Sequence, residues 1–382
     1  MRVTTKGRIP IKSWCEDVED GAMEQANNLS NLPFAFHHIA LMPDCHQGYG
    51  MPIGGVMAAD NVIVPNCVGV DIGCGMCAVQ TSLEDINVDT IKAVFSDIRS
   101  IVPVGFDHHA VAQDWDGFNE CPDIPLLNQE LKSARHQLGT LGGGNHFIEI
   151  QGGDDGYVWL MLHSGSRNYG FKIANEYHKK AVELCERWFS AIPTKELAFL
   201  PIGSKEAAEY LDAMNFALRF AYANRALMMV RCKEALSIHT GCTFENEINI
   251  HHNYVAIEHH FRRNVWVHRK GATLARAGEY GIIPGSQGTA SYIVIGKGNP
   301  ESFQSCSHGA GRSMGRKEAE RTLVLEDVVR GLNEAGIVHS IRTQKDLDEA
   351  PQAYKDIDAV MAEQSDLVDI AVTLKPLGVI KG

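Results

Sequence analysis

The sequence contains no run of about 18 apolar residues, the length at which a segment reads as a membrane-spanning helix. Its first residues, MRVTTKGRIPIKSW, hold no apolar stretch of the kind that precedes a secretory cleavage site. No membrane association is therefore expected, and a cytoplasmic protein is. An excess of positive charge is also lacking: 35 lysines and arginines stand against 47 aspartates and glutamates, a net charge of −12. That argues against a protein that coats nucleic acid by neutralising its phosphates, while leaving room for a local basic pocket. Internal repeats and low-complexity linkers are absent, and glycine-rich patches spread from residue 48 to residue 315 instead of gathering at one boundary. One compact domain over residues 1–382 is the expectation. The ordinary nucleotide signatures are missing too. There is no G-x-x-x-x-G-K-[ST] phosphate loop and no K-x-D-G lysine to carry a nucleotide covalently.

What is present is a chain of 382 residues, 45% hydrophobic, enough for a packed core without staples. Its ten cysteines, with no export signal, are expected to be reduced and buried, metal-bound or catalytic. Its 17 histidines raise the expectation of metal or acid-base chemistry, because imidazole is both the commonest metal ligand and the usual proton carrier near neutrality. YVWLMLH (157–163) reads as a buried strand ending at His163, and NVWVHRKGAT (264–273) and SYIVIGKG (291–298) as further strands. Residues 206–236 are rich in helix formers, with Tyr210, Met214, Leu218 and Tyr222 at helical spacing, and read as a buried structural helix. The class is mixed α+β, with the chemistry-bearing residues at strand ends and in glycine turns.

GVDIGCGMC (69–77) sets Asp71 and Cys74 three residues apart on a glycine-flexed loop, where a carboxylate and a thiolate can reach one ion; a turn aspartate and a buried free cysteine would look the same. Cys74 and Cys77 form a C-x-x-C, but no second pair follows to complete a tetrahedral zinc site. GTLGGGNHFIEI (139–150) places His146 directly after a glycine run, MLHSGSRNYG (161–170) places His163 before another glycine turn, and INIHHNYVAIEHH (248–260) adds a histidine pair. Each histidine alone reads as a structural group. Together with Asp71 and Cys74 they suit two transition-metal ions sharing the thiolate, roughly 3.5–4 Å apart, an arrangement that grips a phosphoryl group from both sides. IIPGSQGTASY (282–292) and SCSHGAGR (305–312) supply glycine backbone for phosphate oxygens, and His308 is the residue such a backbone would bring to a ligand.

Ten blocks, in order, resemble the RtcB family of GTP-dependent RNA ligases: MPDCHQGYGMPIGG (42–55), VGVDIGCGM (68–76), GTLGGGNHFIEI, LHSGSR (162–167), HHNYV (251–255), RKGAT (269–273), IPGSQGTAS (283–291), SCSHGAGR, AYKDIDAVM (353–361) and KPLGVIKG (375–382). The resemblance runs nearly end to end and implies a single domain of that family's type with a central dinuclear metal pocket. It implies that His308 takes GMP from GTP as a phosphoramidate. Asp71, Cys74 and His146 then match the ligands of one manganese ion, and Cys74, His163 and His252 those of a second. Asn145, His146, Phe147, Ile148, Glu149, His252, Asn253, Pro284, Gly285, Ser286, Gln287, Ser291, His308, Gly309, Ala310, Gly311 and Lys381 match guanylate-contacting positions. The implied substrates are an RNA with a 2′,3′-cyclic phosphate or 3′-phosphate and an RNA with a 5′-hydroxyl, and an archease-type activator is an allowed partner.

Glu149 would accept hydrogen bonds from guanine N1–H and N2–H₂, and Lys381 would donate to O6, a reason for GTP over ATP. Arg167 and Arg312 are candidate RNA-phosphate contacts. The chain departs from the family pattern at Asn168, where a glycine is expected, at Gly315, where a serine is expected, and in VPVGFDHHA (102–110), where His108 and His109 have no assigned role. Two other classes share parts of this pattern. A dinuclear metal-dependent phosphoesterase would need the same ligands but neither His308 nor Lys381, and a non-catalytic RNA-binding relative would bind RNA without labelling by GTP.

Overall fold

A computed structural model describes all 382 residues. Seven strands form the larger sheet in the order Phe244–His251, Gly75–Thr81, Val158–Ser164, Phe147–Gly153, Val368–Lys381, Ser291–Gly296 and Tyr280–Ile283, all neighbours antiparallel. Six strands form a second sheet in the order Arg2–Thr4, Ile11–Ser13, Ala35–Tyr49, Met51–Ala59, Arg263–Lys270 and Asn253–His260, where only Ile11–Ser13 and Ala35–Tyr49 run parallel. The chain leaves the first sheet at His251 and opens the second at Asn253, so His252 sits where the two sheets meet. This is an α+β architecture.

Alternation along the central strands explains why both faces are covered. In Gly75–Thr81, Cys77 and Val79 point into a core with Ile91, Phe95, Met228 and Leu236 from two helices, while Met76 and Ala78 point into a second core with Phe147, Met161 and Val379. A strand buried on both sides reads as a continuous apolar run, as VWLMLH does. Val88–Ile101 starts where the Asn87 side chain accepts from Thr90 N–H, satisfying one of the free donors at a helix start.

The longest helix, Lys205–Thr240, begins at Ser204, whose side chain accepts from Ala207 N–H, and ends at Gly241 in the left-handed region with φ 69°. The spacing of four residues overstates its buried stripe. Tyr210 and Met214 are fully buried, Leu218 only partly, and Tyr222 is 50% exposed. At 3.6 residues per turn, a step of four advances about 40° around the axis, so three steps carry Tyr222 about 120° away from Tyr210.

Candidate active site

Four neighbouring strands deliver the metal-ligand candidates to one end of the larger sheet. Met76 pairs with His163 and His163 with Phe147, so Cys74 and His146, each just ahead of its strand, come level with His163. His251 pairs with Gly75, and His252 follows it into the same place. Cys74 Sγ lies 3.1 Å from His163 Nε2 and 3.5 Å from His146 Nε2, and His146 Nε2 lies 3.3 Å from Asp71 Oδ2. Two triads result, Asp71–Cys74–His146 and Cys74–His163–His252, with ligand atoms within 4.8 Å of one another in each and Cys74 common to both. Cys77 is not part of this group. Its thiol points into the core, where burial and then Glu247 push it up to about 12, so the C-x-x-C is not a ligand pair.

Neighbouring groups fix these ligands. His163 Nδ1–H donates to Asn145 O at 3.0 Å, which leaves Nε2 free to ligate, the arrangement usual for metal-bound imidazole. Asn253 donates to Asp71 O at 3.0 Å and accepts from Gly271 N–H at 2.7 Å. From the long helix, fully buried Arg225 donates to Gly73 O, Ser164 O, Asn249 Oδ1 and His251 Nδ1 at 2.7–3.0 Å. Asn224 beside it ties Gly139, Thr140, Ser164 and Gly165. A Cβ at Gly165 would stand 2.4 Å from Asp71 Oδ1, so a larger residue there would displace that carboxylate.

The donor set fits divalent cations. Burial, followed by Asp71, drives the Cys74 thiol far above its usual range, and burial drives His163 and His252 far below theirs. For Asp71, burial works toward the neutral form, but the hydrogen bonds and charges of His146, Cys74 and His163 together outweigh it and keep the carboxylate ionised. His146 Nδ1 and His252 Nδ1 are buried without a hydrogen-bond partner. Neutral imidazoles around a thiol that a cation would deprotonate form a mixed sulfur, nitrogen and oxygen set, suited to a transition metal and poorly suited to magnesium.

His308 continues this row of rings, its centroid 4.9 Å from that of His252, which is 5.2 Å from that of His163. It follows the short strand Ser305–Ser307, which pairs with Ala272–Leu274. Its Nδ1 lies 2.6 Å from Oδ2 of fully buried Asp44, which also accepts from the backbone N–H groups of His308 and Gly309 at 3.0 and 3.3 Å. Asp44 is held ionised in spite of its burial by the His308 ring beside it. Nδ1 therefore carries the proton, and Nε2 presents its lone pair.

His308 lines a pocket with Asn145, Phe147, Glu149, Pro284 to Gln287, Gly309 to Gly311 and Lys381. Glu149 pairs with Val379 across adjacent strands, so Lys381, two residues on, shares its face. Gln151 donates to Glu149 Oε2 at 2.6 Å and braces it. Ile148 points the other way, into the core. Ser291 Oγ accepts from Gly285 N–H and Gln151, shaping the loop.

Arg167 is pinned with φ 55°, its Nε on Thr140 Oγ1 and Nη2 on Gly105 O, while Nη1 makes no hydrogen bond. Arg312 reaches Asp348 O and, at 3.1 Å, the buried carboxylate Glu349, which Arg316 and the Tyr354 hydroxyl also hold at the pocket wall. Asn168 bridges to Gln137 and Glu130, and Gly315 starts the helix Arg316–Thr322 with no side-chain cap. His109 accepts from Arg231 at 2.8 Å as a latch, while His108 is exposed. Sequence reasoning missed Asp44, Gln151, Asn224, Arg225, Arg316 and Glu349. A polar Asn-Arg pair inside an apolar helix was the one local signal.

A family model described as tRNA-splicing ligase RtcB matches residues 25–121 and 116–382. The chain is 40% identical to the RNA-splicing ligase RtcB of Escherichia coli strain K12 over 406 residues, covering 99% of this chain and 98% of that protein. It is 32% identical to the tRNA-splicing ligase RtcB of Pyrobaculum aerophilum over 460 residues, 98% and 95% of the two chains. A third relative, the RNA-splicing ligase RtcB of Mycobacterium tuberculosis, is 32% identical over 435 residues, 94% of this chain and all of that one. With likeness of this extent laid over a cluster of thiol, imidazole and carboxylate groups, the chain belongs to the RtcB family of RNA ligases.

Proposed function

We propose that the protein joins an RNA 2′,3′-cyclic phosphate or 3′-phosphate end to a 5′-hydroxyl RNA end in tRNA splicing or RNA repair, using GTP and two manganese ions. What carries this reading is one imidazole nitrogen: Nδ1 of His308 is committed to Asp44, and the ring lines a pocket between the histidine cluster and the Glu149–Lys381 face.

His308 Nε2 attacks the α-phosphorus of GTP, the bond to the bridging oxygen breaks, and pyrophosphate leaves with that electron pair. Asp44 offsets the positive charge that the ring gains as Nε2 bonds phosphorus and holds the ring in the attacking tautomer. The RNA 3′-phosphate, formed by hydrolysis where the end is cyclic, then takes GMP from His308. The 5′-hydroxyl oxygen of the second RNA attacks that 3′-phosphate, and GMP departs. Ions held by Asp71, Cys74 and His146, and by Cys74, His163 and His252, would neutralise charge on the phosphoryl oxygens. Glu149 accepts from guanine N1–H and N2–H₂, Lys381 donates to O6, and the glycine loops at 284–287 and 309–311 approach the phosphates. Arg167 Nη1 and Arg312 meet RNA phosphates. A reducing cytoplasm keeps Cys74 able to ligate, and an archease-type activator is compatible with this scheme.

The test is ligation of a 3′-phosphate oligonucleotide to a 5′-hydroxyl one. Joining is expected with GTP and manganese and not with magnesium alone. Full activity in magnesium, or equal rates with GTP and ATP, would overturn the reading.

A further inference from the structure

We propose that Phe106 is a stacking platform for an unpaired RNA base beside the Arg167 phosphate position, an inference that rests on the RNA-ligase reading above. Phe106 is 98% exposed, more than any other large apolar side chain of the molecule. Its backbone is nevertheless fixed. Asp107 N–H closes a turn onto Val104 O at 3.1 Å, with Gly105 at φ 62° supplying the left-handed position that such a turn requires. Gly105 N–H donates to Gly142 O at 2.8 Å, Leu141 N–H to Pro103 O at 2.9 Å, and Arg167 Nη2 to Gly105 O at 2.8 Å. Farther along, Arg231 grips His109 and Gln113, and His109 N–H donates to His136 O. An apolar ring held out in water on a braced turn has no folding role.

Its surroundings indicate what it meets. The turn is bonded to the glycine loop that carries His146, and a point 2.2 Å from Arg167 Nη1 and 2.5 Å from His146 Nδ1 is where a Cβ on Gly142 would lie. The unpaired Arg167 nitrogen and the ligand cluster thus share the loop on which Phe106 is mounted. Asp107 and His108, the next two residues, are exposed and polar, and a ring left 98% exposed is packed against no apolar neighbour. Asp107 repels phosphate, which leaves the RNA backbone to the Arg167 side and the ring to a base. Unpaired bases stack on such rings regardless of sequence.

The experiment places 2-aminopurine, whose fluorescence falls on stacking, at the nucleotide next to the 3′-phosphate in one RNA and next to the 5′-hydroxyl in another. One of the two is expected to be quenched on binding, with quenching lost in Phe106→Ala and kept in Phe106→Trp. The KM for that RNA is expected to rise about 5- to 150-fold in Phe106→Ala, with kcat changed less. Unchanged quenching and KM in Phe106→Ala would overturn the proposal, as would a fall in kcat alone. Self-labelling by GTP and ligation by the unaltered protein separate the two failures: their absence would overturn the ligase reading itself.

Discussion

Glu149 lies beside Lys381 in a site where water is scarce, and its proton affinity reflects the contest between burial and that neighbour. Burial pushes the carboxyl up to about 8, against Lys381 and the Gln151 hydrogen bond, which draw it down. Lys381 is itself lowered by burial and held up by Glu349, Glu149 and Asp348, with Arg316 opposing them. In the proposed mode the guanine edge would donate hydrogen bonds that favour ionised Glu149, so GTP binding is expected to release a proton. Affinity should rise with pH, by up to tenfold per unit, and level off above about pH 8. Calorimetry in buffers of different ionisation enthalpy checks this, and a flat profile from about pH 6 to about pH 9 would contradict it. Glu149→Ala should cost about 5- to 150-fold in GTP over ATP preference, the value of leaving charged hydrogen bonds unmade. At His308, Asp44→Asn should slow transfer of GMP by about 10²- to 10⁴-fold, because an amide neither fixes the tautomer nor offsets the ring charge. Single-turnover labelling reads that rate. The metal-ligand candidates were legible in the sequence because glycine turns mark them. Asp44 was not, because its partner lies 264 residues away and an aspartate after a proline looks like turn chemistry.

At the scale of elements, the long helix shows where periodicity stops being informative. Spacing of apolar residues marked a buried helix at 206–236, and the structure has one at Lys205–Thr240. It could not show that the helix also carries Asn224 and Arg225 into the loops behind the metal-ligand cluster, since a period reports faces and not partners. Arg225→Met should leave the carbonyls of Gly73 and Ser164 short of a donor at a cost of about 1–3 kcal/mol each. It should also lower bound manganese while His308 stays in place. Metal content and thermal denaturation measured together check this. A protein with full metal content would show that the helix supports the fold alone. The strands 157–163, 264–273 and 291–298 appear as Val158–Ser164, as Arg263–Lys270 with Ala272–Leu274, and as Ser291–Gly296. Short apolar runs gave the strands, but no local signal gave their order in two sheets, which depends on pairings far apart in the chain.

Across the whole molecule, a buried ion pair between adjacent strands of the six-stranded sheet anchors the segment that leads to His308. Arg269, with no exposed side chain, is bidentate on Glu258 and also bonds Ser305 Oγ and Phe303 O, just before His308. Burial works to raise the Glu258 carboxyl, but Arg269 and His260 outweigh it and lower it to about 2. Its folded value is below the ordinary one, so the pair stabilises the fold fully above about pH 4.5 and loses that contribution as pH falls toward about 2. Glu258→Gln should flatten the acid limb of stability against pH and, by stranding a buried arginine charge, cost about 3–5 kcal/mol near neutrality. Denaturant melts across that range check both, and an unchanged acid limb would assign the slope to other carboxylates.

The proposed covalent transfer from GTP is where the chemistry of His308, its pocket and the metal-ligand cluster would all meet, and one experiment reads it directly. The protein is incubated with manganese and GTP labelled at the α-phosphate, then run under denaturing conditions. Label should stay on the chain, leave in acid, persist in alkali as a phosphoramidate does, and vanish in His308→Ala. Label surviving in His308→Ala, or an unlabelled protein that still processes RNA ends without GTP, would contradict the assignment, the second result favouring a metal-dependent phosphoesterase.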